Sequence, residues 1–362
     1  MAGVYLSHPF CSQKCTYCNF ASDVLPAALE PRYLEALGAE IRAHAWRWTP
    51  ETVYLGGGTP SRIDPEALGR LLDAVPGRPW AEATLEAAPG AIDARRVQGW
   101  LRAGITRVSL GVQSFVDAEL RQTGRRHTAA IVEREIGVLR EEGIANINVD
   151  LIAGLALQTH DSWRESLDWI ERLRPPHVSV YLLEVDEDSR LGLEVLNNGS
   201  RYGAAKLPSA EDAAGFYEAA VDTLAAMGIQ RYEISNFARP GFESRHNLKY
   251  WRREPYAGFG ADAHGFDGVT RRQNTDNPGR YVDLIEQGEP PCVAESPADD
   301  SERLWVGLRL MGGIEPGEAD WRRHGATFER FLGDGLLERD GALLRLSRRG
   351  VLLSNELFQE LI

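Results

Sequence analysis

What most constrains this chain is a rhythm: short β-rich runs return roughly every 30 residues, the span of one strand–helix–strand unit, with helical stretches between them. The runs are residues 3–7 (GVYLS), 52–55 (TVYL), 84–87 (TLEA), 107–111 (RVSLG), 146–151 (NINVDL) and 178–182 (VSVYL). Between them, residues 31–46, 65–74, 94–103 and 129–142 carry the apolar spacing of amphipathic helices. Strands alternating with helices demand a parallel sheet. Periodicity alone leaves two closures open, an incomplete TIM-like (β/α)6 barrel and an open doubly wound sheet.

In either closure, ligands collect where the loops leave the carboxyl ends of the strands. The chemically notable residues fall there again and again. Cys11 follows the first run, Gly56 to Thr59 follow the second, Glu86 ends the third, Gln113 follows the fourth and Asp150 ends the fifth. One end of the sheet is therefore loaded with polar chemistry.

Cys11-Ser-Gln-Lys-Cys15-Thr-Tyr-Cys18 places three soft sulfur donors in one short loop, and the fourth cysteine, Cys292, is far away. That distribution suits a metal site better than a disulfide framework. Soft thiolates select iron–sulfur clusters or zinc, and a structural zinc wants four ligands, for which His8 is the only local candidate. Cluster, zinc and incidental thiols all remain open on spacing alone. The glycine run 56–58 after a strand lets a ligand approach the backbone closely and frees amides for a carboxylate.

The CxxxCxxC spacing resembles the defining motif of the radical S-adenosylmethionine family. The resemblance implies a [4Fe-4S] cluster on Cys11, Cys15 and Cys18, with S-adenosylmethionine chelating the open iron. It further implies that Tyr5, Tyr17, Gly57, Gly58, Thr59, Glu86, Gln113, Arg125 and Asp150 surround that nucleotide. GGGTPS at 56–61, LEAAPG at 85–90, GVQSF at 111–115, GR at 124–125 and VDLI at 149–152 are similar to motifs of the porphyrin-related branch, the group of oxygen-independent coproporphyrinogen oxidase. Within that branch, His246-Asn247-Leu-Lys-Tyr250-Trp251 resembles the HNxxYW motif of haem chaperones. The resemblance implies haem as a further ligand, held by His246, Asn247, Tyr250 and Trp251, and haem-accepting proteins as partners, respiratory membrane enzymes among them. An external electron donor is expected if radical chemistry occurs. The alternative is a porphyrinogen oxidase-like enzyme. Against it, Phe20 stands where the oxidase pattern has another cysteine, and only ten residues precede Cys11.

Two departures from the usual chaperone pattern stand out. Ser7 occupies the usual histidine position with His8 beside it, and Gly154-Leu-Ala-Leu-Gln158-Thr replaces the usual GLPGQT. The second is expected to change loop shape.

Composition narrows the remaining classes. With 40 Lys and Arg against 53 Asp and Glu, the net charge is −13, which argues against a broad nucleic-acid footprint. No stretch approaches the roughly 20 apolar residues that cross a bilayer, and no secretory leader is evident, so a cytoplasmic or membrane-peripheral protein is expected. The expected organisation is a core barrel over 1–230, a segment with the HNxxYW motif and a linker over 231–300, and a winged-helix-like tail over 301–362. Residues 186–203 are expected to form an insertion-like connection and residues 290–300 the linker.

Overall fold

A computed structural model gives the fold and describes residues 2–362. The chain opens with strand–helix repeats. β1 (Ala2–His8) leads to α1 (Leu29–Ala43), β2 (Pro50–Gly57) to α2 (Pro65–Asp73), and β3 (Glu82–Ala87) to α3 (Ala94–Arg102). β4 (Arg107–Gln113) leads to α4 (Asp117–Thr123) and α5 (Ala129–Glu141), β5 (Asn146–Ala153) to α6 (His160–Leu173), and β6 (His177–Leu182) to α7 (Arg190–Leu196) and α8 (Ala210–Ala226). Each of these strands pairs in parallel with the next. Side-chain caps set several helix starts: Asp64, Asp93, Thr128 and Thr159 each accept from a backbone amide of the following first turn.

Side-chain alternation along these strands explains the architecture. Val4 and Leu6, Val53 and Leu55, Ala83 and Leu85, Val108 and Leu110, Ile147 and Val149, and Val178 and Val180 are all buried and belong to the apolar core. Their neighbours, on the opposite face by the two-residue period, include Tyr5, Tyr54, Glu86, Ser109, Asp150 and Ser179. Parallel strands packed on both faces ordinarily read as continuous apolar runs. Here only the helix-covered face does, and the concave face is a polar lumen.

The remaining strands extend both edges of the same sheet. β7 (Gln230–Arg231) and β8 (Asn236–Ala238) add antiparallel beyond β6, and β9 (Tyr256–Phe259) adds parallel to β1. α9 (Arg245–Trp251) lies between β8 and β9, and α10 (Pro278–Glu286) later packs on α1. β10 (His264–Phe266), β11 (Thr270–Asn274) and β12 (Cys292–Pro297) continue outward to give one 12-stranded sheet, β12 at one end and β7 at the other. The sheet therefore curls into an incomplete barrel without closing on itself.

Three expectations need correction. Residues 290–300 are no linker, because β12 pairs with β11 there; all but Cys292 of its residues are exposed, so no apolar alternation marks it. Residues 231–234, which read in sequence as one short strand, instead end β7 at Arg231 and lead through a turn to β8 at Asn236. The stretch 186–203 contains α7, whose Leu191 amide donates to the Thr16 carbonyl at 2.8 Å, so it is built into the wall beside the cysteine loop.

The tail comprises α11 (Glu302–Gly307), α12 (Glu318–Gly333), the hairpin β13 (Leu337–Asp340) and β14 (Leu343–Leu346), and α13 (Arg348–Leu352) and α14 (Ser354–Gln359). The hairpin turns at Asp340-Gly341, a dipeptide that favours tight hairpin turns, with Gly341 at φ 62°. Arg348 ties the tail to Glu218 and Asp222 of α8, and Arg309 lies 4.3 Å over the Trp251 ring. Among the described residues no helix is long and apolar enough to cross a membrane.

Candidate functional site

The carboxyl ends of β1 to β6 form the mouth of the lumen. The loop from β1 carries Cys11, Cys15 and Cys18, all half-buried and none in a disulfide. Its course is pinned by backbone bonds: the Cys11 amide donates to the Asp23 carbonyl at 2.9 Å and the Thr16 amide to the Thr123 carbonyl at 3.2 Å. Burial pushes the Cys11 and Cys18 thiols up, and the charge of Cys15 adds to both, so the three sulfurs share one neighbourhood.

The glycine run lies directly against that loop. The Gly58 amide donates to the His8 carbonyl at 2.8 Å and the Thr59 amide to the Phe10 carbonyl at 3.0 Å. A Cβ on Gly58 would come within 2.7 Å of the Phe10 carbonyl oxygen, so only glycine lets the two loops touch. Gly57 has φ 107°, a left-handed backbone that side chains disfavour. The Thr59 hydroxyl sits 4.0 Å from the Cys11 sulfur. One residue earlier in β2, Gly56 leaves open the space where a Cβ would meet Glu86 Oε1 and the Tyr5 hydroxyl, each at 3.1 Å.

Deeper in the mouth stand two carboxylates. The Tyr54 hydroxyl donates to Glu86 Oε1 at 2.9 Å; Asp150 accepts from Asn148 Nδ2 at 2.7 Å and from the Ser109 hydroxyl at 3.2 Å. Burial, with the Asp150 charge added, pushes the Glu86 carboxyl up to about 7. Burial also raises the Asp150 carboxyl, against the hydrogen bonds from Ser179, Asn148 and Ser109. Neither has an ion-pairing side chain among the described residues. Arg125, the nearest cationic influence on Asp150, spends its Nη1 on the Gly111 carbonyl at 2.6 Å and turns Nε and Nη2 to the Tyr17 hydroxyl at 3.4 and 3.3 Å. Gln113 has φ 73° at a break in the β4–β5 register, a backbone strain of the kind that gathers at binding sites.

The structure thus brings Tyr5, Tyr17, Gly57, Gly58, Thr59, Glu86, Gln113, Arg125 and Asp150 to the same end of the barrel as the cysteines. It does not bring the HNxxYW helix there. α9 closes the opposite end, where the His246 amide donates to Glu82 Oε1 at 3.1 Å at the start of β3. His246 is fully buried; its Nδ1 bonds the Thr52 hydroxyl at 2.9 Å and its Nε2 the Tyr250 hydroxyl at 2.8 Å. Burial, with the Lys249 charge, lowers its pKa to about 3, so the ring is neutral. Trp251 lies under Arg309, and Asn247 donates its amide to the Ser244 cap at 3.3 Å. In this conformation neither ring nitrogen is free for an iron, and the four residues brace the barrel floor.

Sequence reasoning did not single out Tyr54, Ser109, Asn148, Ser179 or Tyr181. Each looks like an ordinary strand residue, and only strand register places them around the carboxylates. The available signal was a polar or tyrosine side chain at every second position of strands that otherwise look buried.

These features fit a cationic ligand beside a cluster: grouped unbridged thiols, a glycine wall that leaves room for it, and two recessed carboxylates without a cation. Comparison with known proteins agrees. Residues 5–170 match the Radical SAM superfamily. The chain is 35% identical to "Heme chaperone HemW" of Bacillus subtilis (strain 168), over 99% of this chain and 98% of that protein. It is 35% identical to "Heme chaperone HemW" of Escherichia coli (strain K12), over 77% of this chain and 76% of that protein. Among solved structures, coproporphyrinogen III oxidase (HemN) from Escherichia coli shares the fold with a TM-score of 0.84, covering 99% of this chain and 89% of that one at 20% identity. On the strength of the near full-length identity, this chain belongs to the radical SAM superfamily and, within it, to the HemW family.

Proposed function

We propose that this protein is a haem chaperone, which binds haem and passes it to acceptor proteins, with a [4Fe-4S] cluster and S-adenosylmethionine held at the barrel mouth. The single observation that supports it most is the identity to a heme chaperone from end to end, tail included. The oxidase-like neighbour supports the fold only. Radical SAM proteins carry a cluster, so zinc is set aside as the partner of the three thiols.

In this reading Cys11, Cys15 and Cys18 hold the cluster, which when bound supplies an open iron for the nucleotide and a route for one electron. The chain's own residues do the rest. Gly57, Gly58 and Thr59 form a wall that admits the methionine part; Tyr5 and Tyr17 flank it. Arg125 offers guanidinium donors toward a carboxylate. Glu86 and Asp150 face the ammonium, sulfonium or ribose hydroxyls, and Gln113 presents an amide to the same space. The acceptors, membrane respiratory enzymes in our reading, and a cytoplasmic or membrane-peripheral address belong to this proposal too, as does an external electron donor. The tail, 301–362, serves as a docking module rather than a DNA reader, since the protein as a whole is acidic.

Titrating the reconstituted, oxygen-free protein with haem is expected to give stoichiometric binding with a haem absorption band, and no decarboxylation of coproporphyrinogen. Turnover of coproporphyrinogen without retained haem would overturn the reading.

The carboxylate pair adds a pH prediction. In the ligand-free protein, a Glu86 carboxyl that titrates near 7, above its unfolded value of about 4.3, contributes stability at low pH that is lost as pH rises toward 7. A cationic ligand reverses the sense, because it favours the ionised carboxylate. S-adenosylmethionine affinity is therefore expected to rise about tenfold per pH unit below neutrality at its steepest, then level off above it. Glu86→Gln is expected to flatten the profile, as calorimetric titration at several pH values would show.

A further inference from the structure

Below the mouth, between the two carboxylates and the floor helix α9, the barrel encloses a small polar cavity little larger than a water molecule, with Tyr54, Thr84, Arg107, His177, Ser244 and Asn247 in its wall. Arg107 is only 1% exposed, and a guanidinium does not give up its proton in a protein. It makes no ion pair among the described residues. Its Nη1 donates to the Asn146 side-chain oxygen at 2.9 Å and to the Phe242 carbonyl at 3.1 Å, while its Nε–H is buried without a partner among the described residues. Thr84 stands directly opposite Arg107 in the β3–β4 ladder, and its hydroxyl is likewise buried without a partner. Two orphaned groups, one carrying a full positive charge, thus line the same cavity.

Neighbouring groups do not supply the missing negative charge at close range. His177 is neutral, since burial and the Arg107 charge hold it well below its usual range. Both its nitrogens are engaged: Nδ1–H donates to the Asn148 side-chain oxygen at 2.6 Å, and Nε2 accepts from the Tyr232 hydroxyl at 2.9 Å. Glu82 accepts from the His246 amide, and Glu233 from Asn236, the Ser235 amide and, more distantly, Arg309. Water would satisfy the orphaned donors but leave a buried charge uncompensated, which is the costlier deficit.

We propose that this cavity is a binding site for a small monovalent inorganic anion of about the size of chloride, held by the Arg107 Nε–H and the Thr84 hydroxyl. The enclosed size excludes sulfate, phosphate and any nucleotide. Bound there, the anion links β3 and β4 to the Ser244–Asn247 start of the floor helix, and so holds the floor against the barrel.

Crystals of the cluster-loaded full-length protein grown in sodium bromide test this directly. An anomalous bromide peak beside Arg107 Nε is expected; water there, with bromide confined to the surface, would overturn the proposal. In solution, thermal unfolding of the same protein is expected to shift upward and saturate with bromide or chloride, but not with gluconate at equal ionic strength. Arg107→Gln removes the saturable part. Should that variant fail to fold, Thr84→Val, which keeps the charge and removes one donor, is expected to weaken halide binding severalfold. Identical halide and gluconate curves for the wild-type chain would count as decisively against the site as an empty anomalous map.

Discussion

A Cys15→Ala chain, purified and reconstituted without oxygen, is expected to lose the visible absorption of an iron–sulfur centre and to bind iron and sulfide at well under a tenth of the wild-type level. The reason is geometric. The loop holds Cys11 through the Asp23 carbonyl and Thr16 through Thr123, so the two remaining cysteines cannot slide to replace the missing sulfur. Among the described residues no other donor stands ready: His8 is 1% exposed and bonds Glu30 at 3.0 Å, and Cys292 lies in β12 at the sheet's far edge. S-adenosylmethionine is then expected to bind at least tenfold more weakly, since its chelate loses the open iron while Arg125, Glu86 and Asp150 remain. The fold itself should survive, because the cysteines are half-buried loop residues outside the apolar core. Wild-type iron and sulfide content in this variant would remove the cysteine loop from the site.

How much of this was legible beforehand differs by element, for physical reasons. The six parallel strands were found to within a few residues because each buries an alternate set of apolar residues, Val, Leu or Ile with Ala in β3, against helices. β10, β11 and β12 were missed: the half-buried to exposed polar run Thr270 to Gln273 and the wholly exposed run Val293 to Pro297 leave no alternation of buried apolar residues to read. At the mouth, the cysteines and glycines were legible because their chemistry needs them close in sequence. The tyrosines and amides around Glu86 and Asp150 were not, because their meeting depends on register between distant strands. The surroundings of the HNxxYW segment were hidden for a related reason. Its residues carry ligand chemistry in isolation, and only the fold reveals that the ring of His246 is already committed on both sides.

That commitment makes His246→Ala the variant with the largest expected effect on stability. Removing the ring leaves the Thr52 and Tyr250 hydroxyls without their partners and opens a void beneath Tyr54, whose ring lies 5.3 Å from that of His246. Each orphaned buried hydroxyl costs about 1–3 kcal/mol, so the total is expected to be about 3 kcal/mol or more before the void is counted. Trp251→Phe provides the contrast. Its indole nitrogen has no partner to lose, and a phenyl ring keeps a face for Arg309, so a loss below about 1 kcal/mol is expected. Chemical denaturation of both variants, with haem binding measured on the folded fraction, separates bracing from ligation. A bracing His246 predicts lost stability with haem affinity retained by whatever remains folded. A ligand role predicts a lost haem band even in the fraction that remains folded, and would require α9 to release its histidine from Thr52 and Tyr250 before iron could reach it.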